Sequence, residues 1–241
     1  MSAPEPAAPR RRRGWPVLAL ALLVALPLAL DRGFPPLLPD TGNAGAVVLA
    51  ADGTPLRAFA NRDGVWRYPV GLHEVSPHYL QALVTYEDRW FWRHPGVNPL
   101  ALLRAAGQWL ANGRVVSGGS TLTMQVARIL EPHARTPAGK LRQALRALQL
   151  EWRYSKAEIL TLYVNHAPFG GTIEGVEAAS WAYLGKPAKN LSQAEAALLA
   201  VLPQAPSRLR PDRHPDAARA ARDKLLARMA ARGAWSAAQV A

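Results

Sequence analysis

Glu87 and Asp88 stand side by side in Glu87-Asp88-Arg89-Trp90-Phe91-Trp92-Arg93-His94-Pro95-Gly96, two carboxylates among three large aromatics. A carboxylate in apolar surroundings has its pKa raised, because desolvation penalises the charged form. A raised carboxylate is what a general base near neutral pH requires. The same residues also read as a solvated acid pair beside core aromatics. A second cluster runs Gly118-Gly119-Ser120-Thr121-Leu122-Thr123-Met124-Gln125-Val126-Ala127-Arg128. Glycines leading into a helix offer free N–H groups and the positive dipole end to an anion. Hydroxyls, a carboxamide and a guanidinium follow at helical spacing, although a plain Ser-capped helix has the same pattern. The third feature is a basic run from Arg128 through Lys140, Arg142, Arg146 and Arg153 to Lys156. Clustered cations with few acids can hold a pyrophosphate; equally, such a run can be a solvated helix face near anionic headgroups.

These clusters need elements to carry them. Ala46–Leu49 and Leu56–Phe59 flank Asp52-Gly53, a hairpin signal, and Trp66–Val70 suggests a third short strand. Ser76-Pro77 pairs an N-cap with an N1 proline ahead of helically spaced Leu80, Leu83, Val84 and Phe91. Asn98-Pro99 opens a second helix, and the glycines of Asn112–Gly119 predict a mobile loop. Thr121–Leu130 resumes helix. Lys140–Trp152 sets Leu141, Leu145, Leu148 and Trp152 on one face. Ser155-x-x-Glu158 and Ser192-x-x-Glu195 are capping boxes, and Asp216–Arg232 is an Ala/Arg helix closed by Gly233. The expectation is a mainly α domain with a small β element.

The chain has 241 residues, 29 Lys and Arg against 17 Asp and Glu for a net charge of +12, and no cysteine. The length suffices for a real core. Missing cysteines exclude a disulfide scaffold, a thiol nucleophile and Cys-ligated metal sites. The charge implies an anionic partner. Arg10–Arg13 precede the uncharged Gly14–Leu30, about 25 Å as a helix, which predicts a membrane anchor with the N-terminus inside. The alternative is a cleaved signal peptide, whose apolar stretch is typically shorter. Either way the remainder lies outside the cytoplasm, favouring lipid-linked phosphate over nucleic acid.

Jointly, the clusters closely resemble the motifs of the peptidoglycan glycosyltransferases (glycosyltransferase family 51), the polymerising domain of class A penicillin-binding proteins. Glu87, Asp88, Phe91, His94 and Gly96 fill a motif of the kind E-D-x-x-F-x-x-H-x-G, and Gly118 through Gln125 fill G-G-S-T-[LI]-T-x-Q. Tyr154, Ser155, Lys156, Ile159, Leu160, Tyr163 and Asn165 fill a third, and Gly175, Ala179, Tyr183, Gly185 and Lys186 a fourth. The stretches 167–171 and 202–211 look most like the penicillin-binding protein 1C subgroup. The resemblance implies a lysozyme-like, mainly α fold with a membrane-associated jaw lobe, to which apolar Val97–Leu110 would belong if it meets lipid rather than core. It divides the chain into a cytoplasmic basic tail (1–13), an anchor (14–30), the glycosyltransferase domain (44–210) and a helical linker (211–241) toward a transpeptidase domain whose motifs are missing here.

The resemblance further implies polymerisation of lipid II at the periplasmic face of the bacterial inner membrane. Its partners would be lipid II, the nascent glycan strand and cell-wall synthesis proteins, with no nucleic acid. Glu87 would be the base and Asp88 would orient its loop. Ser120, Thr121 and Gln125 would position the donor, and Lys140, Arg128 and Arg153 would clamp the pyrophosphate. No cofactor is certain. A divalent cation (Mg or Mn) at the pyrophosphate is the one candidate, and Gln143, where many members carry glutamate, cannot supply charge to it. Rival readings are a membrane-anchored glycan hydrolase, a non-catalytic cell-wall scaffold and, last, a basic DNA-binding protein, which the apolar span and the missing recognition motif oppose.

Overall fold

The first ordered pairing is a hairpin of β1 (Ala46–Leu49) and β2 (Pro55–Phe59), antiparallel with Ala46 opposite Phe59 and an irregularity at Val48/Leu49. A computed structural model describes residues 25, 29, 31–36, 42–51, 55–100, 104, 107, 108, 119–134, 136–236 and 238. The tail 1–13, the loop 112–118, most of Gly14–Leu30 and half of Val97–Leu110 lie outside these. No helix among the described residues is long and apolar enough to cross a membrane. Met1–Leu37 forms one unit and Leu38–Ala241 a second.

Within the second unit the helices described from end to end are α1 (Pro77–Glu87), α2 (Leu122–Leu130), α3 (Pro137–Arg153), α4 (Lys156–His166), α5 (Val176–Leu184), α6 (Gln193–Val201) and α7 (Pro215–Ala231), and residues 99, 100, 104, 107 and 108 are helical as well. A small hairpin, β3 (Pro168–Gly170) and β4 (Ile173–Glu174), sits between α4 and α5. The expected third strand at Trp66–Val70 does not form. Only Trp66 pairs, as an isolated parallel bridge to Ile173. That bridge ties the segment to β4, while the Arg67 carbonyl accepts from the Gly45 N–H just before β1 at 2.8 Å.

Local chemistry explains most helix starts. Ser155 and Glu158, and Ser192 and Glu195, close reciprocal capping boxes at α4 and α6. Thr121 and Thr136 accept from the N–H groups of Met124 and Gly139 and cap α2 and α3. Ser76 precedes α1 but makes no cap bond. Its hydroxyl donates instead to the Leu191 carbonyl, stitching α1 to the approach of α6. A single core gathers Tyr79, Leu83, Phe91, Leu122, Tyr163, Phe169 and Leu199. The helix expected to be a linker, α7, buries Leu225, Leu226 and Met229 in that same core.

The apolar stripe of α3 faces outward. Leu141, Leu145, Leu148 and Trp152 are 64%, 45%, 44% and 59% exposed, while Gly139, Gln143, Ala147 and Leu150 make the buried side. The small residues let α3 approach its neighbours closely, and the large ones are left uncovered.

Candidate active site

Glu87 is the last residue of α1, and the chain turns sharply at Asp88. Asp88 is buried and holds the turn in place. Both its oxygens lie within 3.0 Å of His94 Nε2, and Oδ2 accepts from the Leu122 N–H at 3.0 Å. One carboxylate thereby joins the end of α1, the 3-10 turn Phe91–Arg93 and the start of α2. Lys156 braces the same segment from α4. Its ammonium donates to the His94 carbonyl at 2.7 Å and to Glu151 at 2.6 Å, and lies 4.5 Å from the centre of the Phe91 ring. Asn165 of α4 pins the segment leading to α1, exchanging hydrogen bonds of 2.9 Å with both backbone groups of Val70. These motif residues build the frame.

The Glu87 carboxylate is received by two carboxamides. Gln125 Nε2 donates to Oε2 at 2.8 Å, and Gln204 Nε2 donates to Oε1 at 2.9 Å. Burial pushes the Glu87 carboxyl above the usual glutamate range. The two carboxamide bonds pull it back, the Asp88 charge adds to the rise and Arg228 opposes it. The net direction is upward, as a base working near neutral pH needs. Sequence reasoning missed Gln204, which lies 117 positions from Glu87. Its only sequence signal is its place in the 202–211 stretch. It comes from the 3-10 turn after α6 and also accepts from the Tyr86 hydroxyl at 2.8 Å.

A cavity of about 280 Å³ opens here, lined among others by Glu87, Asp88, Arg89, Arg104, Ser120 and Arg232. Ser120 connects it to α3, because the Lys140 ammonium donates to the Ser120 hydroxyl. Burial, and then the charge of Arg128, lower the pKa of Lys140. Glu87, Asp88, Ser120, Thr121, Gln125, Arg128 and Lys140 are therefore brought into one neighbourhood. Thr121 lines the cavity, but its hydroxyl is committed to the fold, donating to the Gly96 carbonyl at 2.5 Å and capping α2. Arg153 does not join them. It is thirteen residues beyond Lys140 on α3, about 20 Å along the axis at 1.5 Å per residue.

The residues around Lys140 do not fit a divalent cation. Gln143 is buried, with its carboxamide oxygen accepting from the Lys140 ammonium at 3.0 Å and its nitrogen donating to the Met124 carbonyl at 2.6 Å. A lysine ammonium occupies the side of Gln143 that a metal would have to approach, and hard cations require free oxygen ligands. Among the described residues no three His, Asp or Glu side chains gather as a ligand set.

This arrangement, one desolvated carboxylate beside a hydroxyl-and-lysine wall in a helical domain, suits proton abstraction next to a phosphorylated group. The transglycosylase family matches residues 52–230, and the chain belongs to that family. It is 62% identical to penicillin-binding protein 1C from Escherichia coli (strain K12), over 95% of this chain and 30% of that protein. It is 41% identical to penicillin-binding protein 1A from Aquifex aeolicus (strain VF5), over 69% of this chain and 23% of that protein. With penicillin-binding protein 1F from Bacillus subtilis (strain 168) it shares 37% identity over 71% of its own length and 24% of the other's. The chain thus spans less than a third of each of these relatives.

Proposed function

We propose that this chain polymerises lipid II into β-1,4 glycan strands in bacterial cell-wall synthesis, working at the periplasmic face of the inner membrane. The observation that carries the reading is the carboxylate of Glu87, desolvated and held by two carboxamides in a cavity shared with Ser120, whose hydroxyl receives Lys140. The donor is the growing glycan on undecaprenyl pyrophosphate, and the nucleophile is the 4-hydroxyl of the acceptor sugar. As that oxygen forms its bond to the donor's anomeric carbon, the bond to pyrophosphate breaks and the configuration inverts from α to β. Glu87 takes the hydroxyl proton, and the departing pyrophosphate keeps the bonding pair. Diphosphate is a good leaving group, so it needs charge neutralisation more than protonation. Lys140 and Arg128 supply it, with Ser120 and Gln125 positioning the donor and the base. Arg153 would act only further along α3, on a more distant part of the substrate. No step passes through a metal.

The finer architecture belongs to the same proposal: a lysozyme-like core over about 44–210, an anchor at 14–30, and a jaw lobe against the bilayer. Support for membrane contact comes from the uncovered stripe of Leu141, Leu145, Leu148 and Trp152 on α3, beside a strongly basic surface. Labelled lipid II given to the purified chain in detergent, with and without EDTA, tests the reading. Long glycan in both conditions is expected. Cleavage of preformed glycan would make the chain a hydrolase, and no reaction at all would make it a scaffold.

A further inference from the structure

Three guanidinium groups line the cavity that holds Glu87, and none of them fills a position of the four motifs read from the sequence. Arg89 occupies a place the first motif leaves open, Arg104 belongs to the segment after Pro99, and Arg232 directly succeeds the last helix, α7. Arg232 is anchored by its Nη1, which donates at 3.0 Å to the carbonyl of Thr85, in the last turn of α1 just before Glu87. Arg89 packs its guanidinium 5.1 Å from the centre of the Trp90 ring. None of the three forms an ion pair with a described carboxylate. The two acids of the cavity are otherwise engaged: Asp88 with His94 and the Leu122 N–H, Glu87 with its two glutamines. All three side chains remain open to solvent, and the charges of Arg228 and Arg89 bear on Arg232, whose pKa is lowered by burial first and then by those two cations.

We propose that Arg232, with Arg89 and Arg104, forms a phosphoryl-binding subsite in the Glu87 cavity, holding a diphosphate oxygen of the substrate beside the base. The proposal rests on the reading given under Proposed function and adds three binding residues to it. Like charges gathered without a carboxylate partner are unfavourable until an anion joins them, and the planar guanidinium fork matches phosphate oxygens in bidentate fashion. Ser120 and Gly119 line the same cavity, so a diphosphate there also meets the Lys140 side of the site. A peptide carboxylate on the substrate shares the chemistry, and the experiment separates the two sources.

Binding of inorganic pyrophosphate to the full chain in detergent is measured by calorimetry for the parent, Arg232→Gln, Arg232→Lys and Arg89→Gln. Each loss of a charge-assisted pair weakens binding about tenfold. Arg232→Lys should fall between the parent and Arg232→Gln, because lysine keeps the charge and loses the fork. Gln keeps a donor for the Thr85 carbonyl, so a purely propping Arg232 would leave pyrophosphate affinity unchanged in Arg232→Gln, and that result overturns the subsite. In lipid II polymerisation the Gln variants should raise KM more than they lower kcat. The same KM shift on lipid II with amidated stem carboxylates supports the phosphoryl assignment; a shift that vanishes there assigns the arginines to the peptide and overturns it. If the parent polymerises lipid II and Arg232→Gln matches it in both assays, the subsite fails and the function stands. If the parent binds pyrophosphate through Arg232 yet makes no glycan, the subsite stands and the function fails.

Discussion

Glu87 gains its chemistry from what surrounds it. The residue is half-buried, and Gln125 and Gln204 give the ionised form two good hydrogen bonds, so the acid is raised without being locked neutral. Glu87→Gln should lower kcat by about 10²–10⁴ in a glycan-chain assay, the range for loss of a general base; a parent-like rate would remove Glu87 from that role. Two shifts set the sign of the pH dependence. A raised Glu87 pKa means that the basic form accumulates only at higher pH, so activity falls on the acid side earlier than for an exposed glutamate. A lowered Lys140 pKa means that its charge is lost earlier as pH rises, so the alkaline fall also moves inward. Lys140→Arg keeps its charge throughout. Its kcat/KM profile should keep the acid limb and carry the basic limb to higher pH; an unmoved basic limb would separate Lys140 from that titration.

At the scale of elements, the loop between α1 and α2 depends on how closely α3 can approach it. Gly96 has φ of +82°, and a Cβ there would meet the Ala147 carbonyl oxygen of α3 at 2.8 Å and the Glu151 side chain at 2.7 Å. The left-handed backbone and the missing side chain are both required. Gly96→Ala should cost about 2–4 kcal/mol of stability, combining backbone strain with overpacking, read as a lower denaturant midpoint. An unchanged midpoint would show that the loop and α3 separate freely. The loss should also slow catalysis, because Thr121, which bonds the Gly96 carbonyl, caps the helix that presents Gln125.

For the molecule as a whole, the membrane contact proposed above predicts one orientation, with the exposed stripe of α3 toward an anionic bilayer that the charge of +12 would attract. With no native cysteine, Leu148→Cys carries a single polarity-sensitive dye. In proteoliposomes its emission should shift to the blue and be quenched by spin-labelled lipid, while a dye at Asp216→Cys, an exposed position in the first turn of α7, should respond to neither. Equal behaviour of the two would place the stripe in water or against protein.

The chain's own residue order determined most of the helices and their caps, because each depends on partners three or four positions away. The capping boxes at Ser155 and Ser192 are such short-range matters, and the pairing of β1 with β2 joins neighbouring segments across one turn. Tertiary structure alone decided that Ser76 serves Leu191 rather than its own helix, and that Trp66 pairs with Ile173. It likewise turned the leucines of α3 outward and brought Gln204 and Arg232 to Glu87 from beyond α6 and α7. The reason is physical: local hydrogen bonds depend on neighbouring residues, whereas which faces are buried depends on the balance of burial over the entire core.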